Sequence, residues 1–279
     1  MTIIMNVAST SRKGNAMTAK PSVLITGAST GIGAGYAERF AHRGHDLVLV
    51  ARNTARMETL ADRLRGETGV AIDIVPTDLA DPGERAVVEA RLRDDDARIG
   101  ILINNAGTTL AGTFVEQSTD DIERLVTLNT TALVRLAHAI APRLARAGEG
   151  AIVNIGSVVG LAPEFGMAVY GATKAFALHL SQALNLQLGP QGVYVQAVLP
   201  ATTRTEIWGH AGVDVGTLRA VMEVDDLVDA ALSGFDRREA VTIPPLHDVG
   251  QWDALEAARQ AMIPGFSQSR PAARYLADA

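Results

Sequence analysis

The sequence predicts an α/β protein with one doubly wound parallel sheet of about seven strands and helices on both faces. Short apolar runs alternate with longer segments of helical period from Ser22 to about Ile243. The chain of 279 residues is 47% hydrophobic but only 4% aromatic, and Ala, Val, Leu and Gly dominate. This composition favours helices that pack closely on a buried parallel sheet.

The strands are predicted where short apolar runs end in Gly, Asn, Asp or Pro, and the helices where apolar residues recur every three or four positions. The predicted strands are residues 22–26, 46–50, 71–75, 99–103, 151–155, 194–199 and 240–243. The predicted helices are residues 31–43, 54–68, 83–94, 120–147, 169–188, 225–235 and 253–262. Asn129 falls inside the longest helix, where an Asn is tolerated at a kink or a polar site.

Composition excludes several classes of function. The net charge is −6, with acids and bases spread along the chain, so neither a nucleic acid nor a membrane is an expected partner. The absence of cysteine excludes disulfides, thiolate catalysis and Cys–zinc sites. The six histidines form no pair at metal-ligand spacing, so no metal site is expected. No apolar run reaches transmembrane length and no secretory signal is recognised, so a cytoplasmic location is expected.

The chain divides into one domain with two flanking segments. Residues 1–20 are small, polar and basic, and we expect a disordered tail there, with Met17 as an alternative start. Residues 21–245 form the predicted domain, in which residues 206–222 have mixed character and are expected to form a mobile substrate lid. Residues 246–279 are a C-terminal extension.

The extension contains a helical pattern with one apolar face. The residues of this face are Trp252, Leu255, Ala258 and Met262. An apolar face must be buried, so the extension is expected to pack on the lid or at a dimer contact. A frayed C-terminus is the alternative.

A glycine-rich turn joins the first strand to the first helix. Residues 26–33 read TGASTGIG. Glycines permit the tight turn and let the backbone approach a pyrophosphate at the helix N-terminus, whereas a plain turn is the alternative. The expected cofactor contacts here are Gly27, Ser29, Thr30, Gly31, Ile32 and Gly33.

The residues after the second strand indicate which dinucleotide is bound. An acidic residue in this place binds the ribose 2′-OH of NAD, but here Ala51 and Arg52 occupy it. A guanidinium pairs with a 2′-phosphate, so Arg52 favours NADP(H); a solvated loop charge is the alternative. Asp78 and Leu79 follow the third strand, where Asp78 either contacts the adenine or caps the helix near Pro82.

The turn after the fourth strand is polar. Asn104 is followed by Asn105, Ala106 and Gly107. These residues supply amides and a close backbone to the cofactor crevice, or they brace the turn, and both roles are compatible.

Tyr170 and Lys174 lie four residues apart at the start of a predicted helix, so both side chains share one face. An ammonium one turn away stabilises a phenolate and lowers the tyrosine pKa towards the working range. The pair therefore predicts a proton donor and the group that tunes it. The alternative is a half-buried Tyr beside a solvent-facing Lys.

With these motifs in this order, the sequence resembles the short form of the short-chain dehydrogenase/reductase family from Ser22 to about Ile243. The resemblance implies a Rossmann fold and a catalytic tetrad: Asn129, Ser157, Tyr170 and Lys174. It implies that Tyr170 exchanges the proton of the substrate oxygen, that Ser157 hydrogen-bonds this oxygen, and that Lys174 binds the nicotinamide ribose. Asn129 is implied to order a water that relays protons.

Three features depart from the family pattern. Pro200 is followed by Ala201 instead of Gly, and either Thr203 or Thr205 is expected to reach the nicotinamide amide. The last strand ends in Pro244-Pro245 instead of a glycine turn, and the C-terminal extension follows. The altered end makes a homodimer an alternative to the homotetramer of many relatives.

The sequence thus predicts an NADP(H)-dependent oxidoreductase that interconverts a carbonyl and an alcohol. The alternatives are a 3-oxoacyl thioester reductase of lipid metabolism and a non-catalytic dinucleotide-binding regulator. The substrate is expected to be a small molecule held by mainly apolar contacts. The residues predicted to line its pocket are Val159, Leu161, Phe165, Met167, Ile207 and Trp208, with Glu164, Arg204 and His210 as polar candidates.

Overall fold

A computed structural model describes residues 20–276, and in this range seven strands form a single parallel sheet. The strands are β1 Ser22–Thr26, β2 Leu47–Ala51, β3 Ile72–Pro76, β4 Ile99–Asn104, β5 Ala151–Ile155, β6 Tyr194–Val198 and β7 Val241–Thr242. Their order in the sheet is β3-β2-β1-β4-β5-β6-β7. The order reverses between β1 and β4, which confirms the doubly wound sheet that the sequence predicts.

Helices cover both faces of this sheet. They are α1 Gly31–His42, α2 Thr54–Thr68, α3 Pro82–Arg93, α4 Thr119–Val126, α5 Leu133–Ala147, α6 Ala168–Leu188, α7 Ile207–His210, α8 Val224–Asp236 and α9 Val249–Ala261. Successive strand side chains point to opposite faces, so Val23 and Ile25 of β1 pack under α1, α2 and α8, whereas Leu24 packs under α3 and α5. Each face of the sheet therefore has its own apolar core.

Most predicted elements end within one or two residues of the observed ones, but the long helix differs. A π-helical turn at Thr127–Ala132 separates α4 from α5, and Asn129 lies inside it. π-Helical turns are rare and are frequent at functional sites. Two other ends also differ: α9 begins four residues early because Asp248 caps it by accepting from the Gly250 N–H, and β7 has only two residues.

The C-terminal helix α9 packs at the β7 edge of the sheet. Trp252 contacts the small cluster of Leu178, Ala197 and Leu199, while Leu255 and Met262 are 50% and 55% exposed. The packing of the extension on the lid or on a second subunit stays a prediction. The predicted tail at residues 1–20 lies outside the described residues except for Lys20.

No helix within residues 20–276 has both the length and the apolar character needed to cross a membrane. The cytoplasmic location and the homodimer or homotetramer stay predictions.

The glycine turn after β1 depends on a close backbone approach. Gly27 has a φ of +65°, which favours glycine. Gly33, in the first turn of α1, lies directly on this turn, because a Cβ at Gly33 would stand 2.3 Å from the Gly27 oxygen and 2.6 Å from the Asn105 Nδ2. Only glycine at position 33 lets α1 start this close to β1.

We expect Gly33→Ala to lower the free energy of unfolding by about 2–3 kcal/mol, as overpacking in a tight site does. Gly66→Ala is the matched control, because Gly66 lies inside α2 with open space around its Cβ position. This control should raise the free energy of unfolding by about 0.5–1 kcal/mol, because Ala is the better helix former. Urea unfolding measures both, and equal effects of the two substitutions would contradict the packing argument.

Candidate active site

Two cavities open at the carboxyl ends of the strands, where ligands bind in doubly wound sheets. The first, a groove of about 790 Å³, lies over the ends of β1, β2 and β4. The second, of about 320 Å³, lies over β5 and the start of α6. Ile32, Asn105, Gly107, Thr205 and Ile207 line both, so the cavities adjoin.

The groove brings together most residues that the sequence predicts to hold a dinucleotide. Those that line it are Gly27, Ser29, Thr30, Gly31, Ile32, Arg52, Asp78, Leu79, Asn105, Ala106, Gly107 and Thr205. Gly33 does not line the groove but packs directly against the backbone of Gly27. Pro200 and Thr203 line the second cavity instead. Thr205 faces both cavities, whereas Thr203 is 4% exposed and donates to the Ala201 carbonyl at 3.2 Å.

Hydrogen bonds between the turns after β1 and β4 fix the floor of the groove. The Asn105 Nδ2 donates to the Thr26 carbonyl at 2.9 Å and to the Gly27 carbonyl at 3.3 Å. The Thr26 hydroxyl accepts from the N–H groups of Asn105 and Ala106, both at 2.9 Å. Asn105 therefore braces the glycine turn as well as lining the groove. The sequence analysis did not predict this role of Thr26, although its position at the carboxyl end of β1, where the groove opens, indicated that it could lie near the site.

Asp78 does not cap α3, because Asp81 does so by accepting from the N–H groups of Gly83 and Glu84, both at 2.8 Å. Asp78 instead lies on the groove wall, where it pairs with Arg124 of α4. Partial burial opposes ionisation of Asp78, but the Arg124 hydrogen bond, the Ala80 N–H and the charge of Arg52 together lower its pKa. Asp78 is therefore an anion at neutral pH, within the field of Arg52.

Ser157, Tyr170 and Lys174 meet in the second cavity. Ser157 follows β5, and Tyr170 and Lys174 lie in the first two turns of α6. The Ser157 and Tyr170 side chains face the same cavity, and the Ser157 hydroxyl is near enough to lower the pKa of Tyr170. The Ser157 hydroxyl also accepts from the Val159 N–H at 3.2 Å and lies 3.3 Å from the Pro200 carbonyl.

The expected lowering of the Tyr170 pKa is not found in this structure. Burial raises the pKa of Tyr170 to about 12, although the nearby Ser157 hydroxyl opposes this shift. The Lys174 Nζ lies 5.6 Å from the centre of the Tyr170 ring and donates to the Ile155 carbonyl at 2.9 Å. Burial lowers the pKa of Lys174 to about 8. Burial is thus the main cause of both shifts.

Asn129 reaches the same site from the π-helical turn. Its Oδ1 accepts from the Thr108 N–H, and its Nδ2 donates to the Thr108 carbonyl, both at 2.9 Å. The Nδ2 also contacts the Thr173 hydroxyl at 3.1 Å, which donates to the Tyr170 carbonyl at 2.7 Å. Asn129 thus ties the loop after β4 to the turn of α6 that carries Tyr170. Sequence reasoning missed Thr173, although it directly precedes Lys174.

The wall of the second cavity is mainly apolar, as the sequence predicts. The predicted residues that line it are Val159, Phe165, Met167, Ile207 and Trp208. Leu161 is 37% exposed and is not among the lining residues. Of the polar candidates, Arg204 pairs with Glu223, Glu164 is exposed, and His210 faces the dinucleotide groove.

The arrangement suits a reaction that develops negative charge on one oxygen. Two hydroxyl groups, on Ser157 and Tyr170, face an apolar cavity where hydrogen bonds to a developing oxyanion are strongest. Lys174 adds a buried ammonium one turn away. The cavity therefore combines two hydrogen-bond donors, a cation and an apolar substrate wall.

Lys174→Met tests whether the buried ammonium is retained at a cost in stability. Between the folded pKa of about 8 and the ordinary value of 10.5, the unfolded chain holds a proton that the folded chain has released. The contribution of Lys174 to stability therefore rises with pH through this window. We expect Lys174→Met to remove this rise and to increase the free energy of unfolding at pH 7 by about 1–3 kcal/mol.

Urea unfolding at pH 7 and pH 9.5 measures this effect. The control is Lys20→Met, because Lys20 is exposed. It should leave the pH dependence as it is. A destabilised Lys174→Met protein with unchanged pH dependence would show that burial does not disfavour the charged lysine.

The chain matches the short chain dehydrogenase family over residues 21–214. A curated relative, sulfoacetaldehyde reductase of Chromohalobacter salexigens, is 40% identical over 187 residues, which cover 66% of this chain and 73% of the relative.

Two solved structures are similar over nearly the whole chain. A short-chain dehydrogenase from Sphingobium yanoikuyae, in complex with NADPH, has 67% identity and a TM-score of 0.90 and covers 92% of this chain and 100% of its own. The bulky-bulky ketone specific alcohol dehydrogenase from Comamonas testosteroni has 59% identity and a TM-score of 0.87 and covers 93% and 100%. Together with the doubly wound sheet and the two cavities, these matches confirm the resemblance found in the sequence: the chain belongs to the short-chain dehydrogenase family of oxidoreductases.

Proposed function

We propose that the protein is an NADP(H)-dependent oxidoreductase that interconverts a ketone or aldehyde and the corresponding alcohol, with Tyr170 as general acid and base. The observation that carries the proposal is that Ser157, Tyr170 and Lys174 line one apolar cavity, which adjoins the dinucleotide groove. A regulator that only bound a dinucleotide would have no use for this arrangement.

The groove fits a dinucleotide with a 2′-phosphate. Gly27 and Gly33 leave the backbone bare where a Cβ would collide with the turn. Arg52 lies at the end of β2, where dehydrogenases that use NAD carry a carboxylate. The NADPH in the Sphingobium yanoikuyae structure supports the same choice.

In the reductive direction, a bound nicotinamide would supply a hydride to the carbonyl carbon. Ser157 holds the carbonyl oxygen, and Tyr170 gives its proton to this oxygen as negative charge develops there. With a pKa raised to about 12, the Tyr170 phenol is protonated before the reaction and holds the proton that it must give. In the oxidative direction, Tyr170 must release its proton first. We propose that, after each reduction, Lys174 and Asn129 return a proton from solvent to Tyr170.

The substrate class follows from the wall of the cavity. Phe165, Met167, Ile207 and Trp208 surround Tyr170 and Ser157 and offer no charged anchor. Apolar groups are therefore expected on both sides of the carbonyl. The bulky ketones named for the Comamonas testosteroni relative support this class. A screen of ketones and aldehydes with NADPH and NADH consumption as the readout tests it.

Tyr170→Phe is expected to lower kcat for ketone reduction by about 10²–10⁴, because the proton donor is lost while the ring remains. Steady-state kinetics measure this effect. The dissociation constant of NADPH, from fluorescence titration, is the control and should change little. Turnover within a few-fold of the parent protein would contradict the assignment.

Arg52→Ala is expected to raise the KM for NADPH about tenfold or more, because a charge-assisted contact with the 2′-phosphate is lost. NADH has no such phosphate, so its KM serves as the internal control and should stay nearly constant. An equal loss for both cofactors would mean that Arg52 supports the fold of the groove instead of reading the phosphate.

A further inference from the structure

Arg56 and Glu206 form an ion pair across the mouth of the dinucleotide groove. Arg56 lies in the first turn of α2, and Glu206 directly precedes α7 in the lid, 150 residues further along the chain. The Arg56 Nη1 donates to both carboxylate oxygens of Glu206, at 2.9 and 2.7 Å. The pair therefore fastens the lid to the helix that follows β2.

Arg56 lines the same corner of the groove as Arg52, the residue proposed to bind the 2′-phosphate. Ser29, Arg52 and Asn53 line the groove beside Arg56. Asn53 caps α2, because its side chain accepts from the Arg56 N–H at 3.1 Å. The positive end of the α2 dipole thus lies at the same corner, and an anion bound there is favoured by the helix as well as by the guanidinium groups.

The Arg56–Glu206 pair is well placed to exchange partners. The two side chains are 48% and 64% exposed, and exposed ion pairs contribute little to stability. A phosphate monoester carries almost two negative charges and three acceptor oxygens, so it binds a guanidinium more strongly than a single exposed carboxylate does. A phosphate in this corner would therefore be the stronger partner for Arg56.

Other contacts hold the base of the lid independently of the groove. Arg204 pairs with Glu223, and a β-bridge joins Thr203 to Met222. The segment of the lid that Glu206 fastens begins after this base and carries Ile207 and Trp208, which line the substrate cavity. The Trp208 Nε1 also donates to the Thr203 carbonyl of this base at 2.8 Å. Release of Glu206 therefore removes the contact of this segment with α2, while its contact with the base stays in place.

We propose that Arg56 is a second specificity-determining contact for the 2′-phosphate of the cofactor. The phosphate displaces Glu206 as the partner of Arg56, and the lid is thereby released from α2. This inference rests on the proposed use of NADP(H). It makes NADP(H), but not NAD(H), a ligand that changes the wall of the substrate cavity. Binding of the 2′-phosphate and the change in the wall of the substrate cavity then occur together.

Binding of two nucleotides tests the contact. The probes are adenosine 2′,5′-bisphosphate, which carries the 2′-phosphate, and adenosine 5′-monophosphate, which lacks it. Arg56→Ala should weaken binding of the bisphosphate about tenfold and leave the monophosphate unchanged. Glu206→Gln should strengthen binding of the bisphosphate several-fold, because the competing carboxylate charge is removed.

The double variant with Arg56→Ala and Glu206→Gln shows whether the two residues act through each other. It should bind the bisphosphate as Arg56→Ala alone does, because Glu206 competes only for Arg56. Arg63→Ala is the matched control on the same helix, since Arg63 pairs with Glu38 and Glu67 and does not line the groove. It should bind both nucleotides as the parent protein does.

Fluorescence of Trp208 reports the lid. The chain has two tryptophans, so Trp252→Phe leaves Trp208 as the single emitter. In this background the bisphosphate should shift the Trp208 emission, whereas the monophosphate should not. Glu206→Gln should show the shifted emission without any nucleotide, and Arg56→Ala should not respond to saturating bisphosphate.

The outcomes separate this inference from the proposed function. If the parent protein binds both nucleotides equally, no 2′-phosphate is read, and both proposals fail. If it prefers the bisphosphate and Arg52→Ala removes the preference, but Arg56→Ala binds as the parent does, only the role of Arg56 is overturned. If Arg56→Ala weakens binding but Trp208 responds equally to both nucleotides, the unfastening of the lid is overturned.

Discussion

The close contact between the turns after β1 and β4 is the constraint on which the rest of the structure depends. Gly27, Gly33 and Asn105 meet without room for another carbon atom, and the Thr26 hydroxyl accepts two N–H groups from the opposite turn. The sheet reverses its order at this point, so the contact also sets where α1 begins and where the groove opens. The groove and the second cavity share residues on this floor.

The second feature of the site is the burial of its polar groups. Tyr170 and Lys174 lie in an apolar cavity, and their pKa values move in the directions that favour the neutral forms. Such groups cost stability, and proteins retain them where function requires them. The hydrogen bonds from Asn129 to Thr108 and Thr173 hold the backbone around Tyr170 in place.

Much of the fold and of the site was predictable from local pattern. The apolar runs that became β1, β5 and β6 are buried on both faces, and the TGASTGIG turn and the Tyr170–Lys174 spacing are short-range signals. Contacts between distant residues had no such signal. The partner of Arg56 lies 150 residues away, and that of Asp78 lies 46 residues away. The direction of the Tyr170 pKa shift depends on burial, which spacing alone does not reveal.

The π-helical turn at Thr127–Ala132 has a consequence for protein engineering. An inserted residue turns the following helix by about 100° relative to an uninterrupted one. Here α4 packs against α6, while α5 packs against α3, and Leu136 and Ile140 of α5 lie in the core. A chimera that took α4 from this chain and an unbroken continuation from another protein would point these two positions away from the sheet. Grafts between such proteins must therefore keep the turn and the helix after it together.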